Sequence, residues 1–224
     1  MSSNKLFAPS AERNKDPIVQ VLRQYLSLND NNNNTQNRKR TILEISSGTG
    51  QHCVHFARNF PQFTFQPSEY DTKSFASIEA YARDEGEQDG ANNIALPPLH
   101  IDVGSDGWWL AQQQKLSPQD IFAIININMI HISPWECTQG LMRGAGQLLE
   151  PGQYLFTYGP YNVADDQFTS DSNREFHESL VARDARWGIR NISQVEREAN
   201  KNGLELIDRV AMPSNNFTLV FQKK

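Results

Sequence analysis

Cysteine is scarce in this chain, with two among 224 residues, Cys53 and Cys137. Two thiols make no disulfide framework and no C-x-x-C metal site, so no metal is expected. Cys53 falls inside a helical pattern and reads as a buried thiol. Basic charge is also in deficit: 21 Lys and Arg stand against 26 Asp and Glu, for a net charge of −5. Broad binding to a phosphate backbone needs a basic surface, so no nucleic-acid partner is expected. No apolar run approaches the roughly 20 residues that span a bilayer. The polar N-terminus lacks the apolar stretch of a signal peptide. These absences lead to the expectation of a soluble, cytoplasmic protein of one domain over residues 1–224, with no membrane partner.

What is present is an alternation of strand and helix patterns. Strands are expected over 41–46, 63–68, 97–101, 120–127, 153–158, 204–211 and 217–222. Helices are expected over 50–59, 73–86, 107–115, 135–149 and 191–202. Residues 1–16 read as polar and extended, with Asp16-Pro17 as cap and first residue of an amphipathic helix. Residues 1–28 thus form an arm and a helix, and Asn29–Asn34 reads as a flexible surface loop. The alternation predicts an α/β fold with a mostly parallel seven-stranded sheet and helices on both faces. Pro213-Ser214-Asn215-Asn216 joins the last two strands, which predicts a C-terminal antiparallel hairpin. This is the Rossmann-like architecture of class I methyltransferases. Residues 159–190 break the rhythm with a long polar and aromatic insertion, expected to lie over an acceptor site.

The first strand ends in Glu44-Ile45-Ser46-Ser47-Gly48-Thr49-Gly50-Gln51. Small residues here let a ligand approach the backbone, and the following helix aims its free N–H groups at the same place. The spacing of Ser46, Gly48 and Gly50 fits the E-x-G-x-G-x-G turn that binds S-adenosylmethionine (SAM) better than a G-x-G-x-x-G dinucleotide turn. Serine fits the first position if its φ is negative. Glu69, about twenty residues on, is placed to hold a ribose diol, with Asp71 second and helix capping as its plainer role. At the end of the third strand, Asp102 and the Val103 N–H could hold an adenine, or Asp102 could cap the next turn. The fourth strand leads to Asn128, Met129 and His131. Asn128 and His131 lie where a cofactor would meet its acceptor, and His131 has a near-neutral pKa suited to a general base. Tyr158 and Tyr161, on the fifth strand, could line the acceptor pocket or face a sulfonium, or pack as core aromatics.

Several segments together carry a family resemblance. They are Ala11-Glu12-Arg13-Asn14-Lys15-Asp16-Pro17-Ile18, Ser47-Gly48-Thr49-Gly50-Gln51-His52 and Gln66-Pro67-Ser68-Glu69. Further segments are Ile127-Asn128-Met129-Ile130-His131-Ile132-Ser133-Pro134, Thr157-Tyr158-Gly159-Pro160-Tyr161, Trp187-Gly188-Ile189-Arg190 and Met212-Pro213-Ser214-Asn215-Asn216. They resemble the methyltransferase-like protein 26 family, also called the domain-of-unknown-function 938 family. The resemblance covers nearly the whole chain. It implies a class I SAM-dependent methyltransferase fold but supplies no substrate; methyl transfer from SAM to a small-molecule acceptor of unspecified identity is the activity expected. Glu44, Ser46, Gly48, Gly50, Glu69, Asp71, Asp102, Val103, Asn128 and Met129 would serve SAM. Arg13, Asn14, Asn162 and Trp187 would meet the acceptor, and His131, Tyr158 and Tyr161 would serve the reaction. A SAM- or nucleotide-binding protein without catalysis is the rival reading, and an NAD-dependent oxidoreductase is a third.

Overall fold

The structure, a computed structural model, describes residues 4–26, 40–89, 92–112, 116, 118–164 and 167–224. The expected loop Asn29–Asn34 and the last three residues of the 107–115 helix lie outside them. The hydrogen-bonded strand order is β3 (Leu99–His100), β2 (Thr64–Glu69), β1 (Thr41–Ile45), β4 (Ile121–Ile127), β5 (Tyr154–Asn162), β8 (Asn216–Lys223), β7 (Leu204–Met212), with β6 (Arg190–Asn191) paired to β5. The first five strands of that path follow the order of a doubly wound fold, and the C-terminal hairpin completes it. None of the described helices is long and apolar enough to cross a membrane. Two compact units divide the chain, one of residues 1–101 and 120–125, the other of 102–119 and 126–224.

The first unit begins with α1 (Pro9–Leu26). This corrects the expected start at Asp16-Pro17. Pro9 takes the first turn, where its missing N–H is harmless, and the Ala11 N–H closes on the Ala8 carbonyl at 3.0 Å. Pro17 sits inside the helix, at the expense of one backbone bond. Burial of Ala11, Asn14, Ile18, Val21, Leu22 and Leu26 at helical spacing carries the helix through it. β1 (Thr41–Ile45) is buried throughout and pairs in parallel with β2 (Thr64–Glu69), with Thr41 opposite Thr64. α2 (Gln51–Asn59) and α3 (Phe75–Asp89) follow their strands. β3 shrinks to Leu99–His100, which pairs in parallel with β2.

β4 (Ile121–Ile127) reaches into the second unit through Asn126 and Ile127. That unit holds α4 (Trp108–Ala111), α5 (Trp135–Leu148), β5 (Tyr154–Asn162) and α6 (Asp171–Arg183). β6 (Arg190–Asn191), α7 (Ile192–Lys201), β7 (Leu204–Met212) and β8 (Asn216–Lys223) complete it. The hairpin is antiparallel as expected, with Leu206 opposite Phe221. The 159–190 segment is more ordered than a loop. β5 runs four residues past its expected end and is buried at all nine positions. Ser170 then caps α6 by accepting from the Asn173 N–H at 3.2 Å. β6 returns in parallel beside Tyr161 and Asn162.

Candidate active site

The turn after β1 is built from three left-handed residues, Ser46 (φ 61°), Gly48 (φ 56°) and Gly50 (φ 93°). Glycine adopts this backbone freely, whereas serine is held there at about 1–2 kcal/mol. The condition set for serine at this position, a negative φ, is therefore not met. What holds it is the next residue: Ser47 N–H donates to the Ser68 carbonyl at 2.8 Å, and its Oγ accepts from the Ser68 N–H at 3.2 Å. Gly50 has a separate reason, since a Cβ there would stand 2.8 Å from the Ile78 Cα. Gly48 is different again, because the space where its Cβ would point is open.

Beneath the turn, Glu44 is 1% exposed, and burial pushes its carboxyl up to about 8. Ser47 and Cys53 hydrogen-bond to it, yet its Oε2 has no partner. A neutral acid is the physically cheaper state for such a group.

Glu69 closes the turn onto the end of β2. Its Oε2 accepts from the Gly48 N–H at 2.8 Å, and Oε1 accepts from the N–H groups of Tyr70 (2.8 Å) and Asp71 (3.2 Å). Asp71 takes the plainer of its two expected roles, capping the short 3-10 turn Thr72–Ser74 through the Lys73 N–H at 3.0 Å. Tyr70, which sequence reasoning passed over, is exposed and stacks on His100 at 6.1 Å.

The N-terminal arm lies along this same unit. Ala8 N–H donates to Gln51 Oε1 at 2.6 Å and Leu6 N–H to Ser77 Oγ at 2.9 Å. Ser77 Oγ in turn donates to the Thr49 carbonyl at 2.7 Å, so the arm is tied to the glycine turn. Asn14 is buried, and its Oδ1 accepts from His52 Nε2 at 2.6 Å. That bond fixes the His52 tautomer, and burial lowers its pKa to about 4. Arg13, expected beside a carboxylate, is exposed on α1. Gln51, His52 and Ser77 were missed because each reads as an ordinary helix residue until the arm is placed.

In the second unit, Asp102 caps its own turn. Oδ1 accepts from the Gly104 N–H at 2.9 Å and Oδ2 from Ser105 Oγ at 3.0 Å. Val103 is buried. Its carbonyl lies against α5, so close that a Cβ on Gly140 would come within 1.6 Å of it.

Asn128 follows β4 in the left-handed region (φ 61°), and its N–H donates to the Tyr158 carbonyl at 2.9 Å. Met129 is buried, and its carbonyl accepts from Ser133 Oγ at 2.9 Å. His131 is 5% exposed, and burial, with Arg190 nearby, lowers its pKa to about 4. Its imidazole is therefore neutral at pH 7 and able to accept a proton, though its conjugate acid is poorly solvated. Phe176 meets the His131 ring edge-on at 5.6 Å, and the His131 carbonyl accepts from the Gly188 N–H at 3.0 Å. Gly159 passes closely too, since a Cβ there would lie 3.2 Å from His131 Nδ1.

The remaining expected residues divide. Tyr158 is buried. Tyr161 is buried as well, and its hydroxyl donates to Thr157 Oγ1 at 3.0 Å, so in this structure it packs as a core aromatic. Asn162 is buried with an unpartnered Oδ1. Trp187 is partly exposed beneath the Arg183 guanidinium, 5.0 Å away. His177 and Arg190, which the sequence placed in the insertion without a site role, join the His131 neighbourhood. His177 Nδ1 accepts from the Ile189 N–H at 3.1 Å, and Arg190 anchors to the Ser133 carbonyl at 3.0 Å.

Solved structures with this fold carry methyltransferase names. An O-methyltransferase family protein from Burkholderia thailandensis aligns at TM-score 0.65 and 14% identity, over 95% of this chain and 59% of its own. An O-methyltransferase family 2 protein from Planctomyces limnophilus DSM 3776, solved in complex with apigenin, aligns at TM-score 0.65 and 13% identity, over 94% and 62%. The mitomycin 7-O-methyltransferase MmcR aligns at TM-score 0.63 and 13% identity, over 96% and 58%. The chain thus spans about three-fifths of the length of these structures, and the likeness is one of fold. A family model matches residues 5–223, and the chain belongs to that family, described as "Protein of unknown function (DUF938)".

Proposed function

We propose that this protein is a SAM-dependent methyltransferase acting on a small-molecule acceptor, within the methyltransferase-like protein 26 family. The observation that carries the reading is the turn after β1. It combines open space above Gly48, a close helix approach at Gly50 and a carboxylate, Glu69, fixed at its rim. These features fit SAM: the backbone offers a cradle that a side chain would fill, and Glu44 supplies a buried polar oxygen with no protein partner. The methyltransferase names of the structural neighbours support the same reading.

When bound, SAM supplies an electrophilic methyl group on a sulfonium, whose chemistry is the cofactor's own. The glycine turn and the free N–H groups at the start of α2 would receive its methionyl end. Glu69 has accepting capacity beyond the three N–H groups it holds, which suits a ribose diol. Neutral His131 would take a proton from an acceptor that must lose one. Positioning carries much of the remaining catalysis, because methyl transfer is an in-line displacement.

Titration calorimetry with SAM, S-adenosylhomocysteine and NAD tests this. Micromolar binding of the two adenosyl ligands, without NAD binding, is the expected result. Absence of adenosyl binding to the folded protein would remove the basis of the reading. Glu69→Ala should weaken SAM binding by more than about tenfold, since bonds to a charged group contribute roughly 1.5–3 kcal/mol. Unchanged affinity in a variant whose circular dichroism matches the parent would strike Glu69 from the ribose role.

A further inference from the structure

Among the described residues, Arg190 has no carboxylate partner. Its Nη2 donates to two backbone carbonyls, of Ser133 at 3.0 Å and Arg186 at 2.6 Å. Its Nε is buried without any partner, and its Nη1 makes no hydrogen bond among the described residues. The guanidinium lies 5.9 Å from the Trp135 ring centre, a weak compensation for a partly buried charge. Glu136 is the acid that acts on it, but it makes no ion pair with Arg190 among the described residues. Four other arginines of this unit, Arg143, Arg174, Arg186 and Arg209, each meet a carboxylate within 3.0 Å, whereas Arg183 lies over the Trp187 ring.

The surroundings of this unpaired cation are also specific. Arg190 perturbs both His131 and His177, which burial keeps uncharged at neutral pH. Phe176 sits edge-on to His131, and Phe168 packs on His177 at 5.0 Å. The neighbourhood therefore combines aromatic rings, two neutral imidazoles and one positive charge with donors to spare. A partly buried charge whose Nε is cut off from water gains from a group of opposite sign at its remaining donors.

We propose that Arg190 is the recognition residue for a carboxylate on the methyl acceptor, so that the substrate class is a small aromatic acid. The proposal rests on the methyl-transfer reading for the word acceptor, but the binding site itself is independent of it. The planar fork already has Nη2 pinned by two carbonyls, which orients the Nη1 edge with little entropy left to lose. A carboxylate bound there places the ring of the acid among Phe176, His131 and His177.

The test is direct observation of the guanidinium. Protein carrying 15N-arginine is titrated with sodium benzoate, and with benzamide as the neutral isostere, while the Nε–H signals are followed by NMR. Arg190→Lys and Arg190→Gln assign the signal. Benzoate should shift the Arg190 signal saturably, and benzamide should not. Arg190→Gln should weaken benzoate binding more than tenfold. Arg190→Lys, which keeps the charge but not the fork, should weaken it several-fold. Equal responses to benzoate and benzamide would overturn the proposal, as would undiminished benzoate binding in either folded variant. Should Arg190→Gln fail to fold through loss of its two carbonyl bonds, Arg190→Lys decides alone. Calorimetry with S-adenosylhomocysteine on the same samples separates the two readings. Adenosyl binding without a benzoate response sinks only the carboxylate site, and the converse sinks only the cofactor assignment.

Discussion

Gly140→Ala is expected to lower the melting temperature by roughly 6–12 °C or more, on the scale of proteins this size losing about 3 kcal/mol. The added Cβ would stand 1.6 Å from the Val103 oxygen and 2.8 Å from its carbonyl carbon. Neither atom belongs to a side chain, so no rotamer change relieves the collision. α5 must move away from the 102–104 turn. Moving it also breaks the bond from Trp108 Nε1 to the Gly140 carbonyl, 2.9 Å long and buried. Overpacking ordinarily costs about 1–3 kcal/mol, and a backbone obstacle belongs at the upper end. Gly152→Ala is the control. Its Cβ would meet open space, so only its positive φ of 89° is at issue, at about 1–2 kcal/mol. Urea unfolding of the two variants checks the comparison. A Gly140→Ala loss no larger than that of Gly152→Ala would show that α5 can yield.

Stability should peak at about pH 6.5 and fall on both sides, with Glu44 responsible for the alkaline limb. The carboxyl of Glu44 holds its proton in the fold up to about 8, against 4.5 when exposed. Between those values the folded state binds more protons than the unfolded one, so stability falls as pH rises. The whole shift is worth on the order of 4 kcal/mol, and the part between pH 6.5 and 8 roughly 2 kcal/mol. His52 and His131 act with the opposite sign. Their folded pKa values of about 4 lie below the ordinary 6.5, so the unfolded state takes up protons first as pH falls. Their contribution is complete above pH 6.5 and is lost as pH drops toward 4. Two such groups outweigh Glu44 on the acid side, which places the maximum where they finish titrating. Cys53, also pushed up by burial, extends the alkaline fall. Glu44→Gln should flatten the limb between pH 6.5 and 8, measured by urea unfolding at a series of pH values. A limb of unchanged slope would mean that Glu44 is ionised in the folded protein.

The alternation of patterns was enough to place the sheet and helices, because burial on both faces writes long apolar runs and amphipathic helices write their own period. The errors are local. Pro17 looked like a helix start, since proline at a first position is common, but the helix already runs from Pro9, and Ala11 and Asn14 are buried on the face that Ile18 continues. Ser46 was to fit the turn only at negative φ, and its left-handed backbone is held by bonds from Ser47 to Ser68, some twenty residues away. The 159–190 segment lacked apolar periodicity, yet it holds a capped helix and a strand. α6 buries only Asn173 and Leu180, too little to leave a clear stripe.

For the candidate site the division follows the range of the forces. Sequence alone determined the glycine turn, the acid at the end of β2 and the residues following β4, because each depends on a strand end and a short turn. Only the tertiary structure decided what those residues do. It gave Glu69 to the Gly48 N–H, Asp71 and Asp102 to their own turns, and the Tyr161 hydroxyl to the core. It also brought His177 and Arg190 to His131, through α6 and the return to β6. Hydrogen-bond partners and burial depend on chain segments far apart in sequence, and no local spacing encodes them.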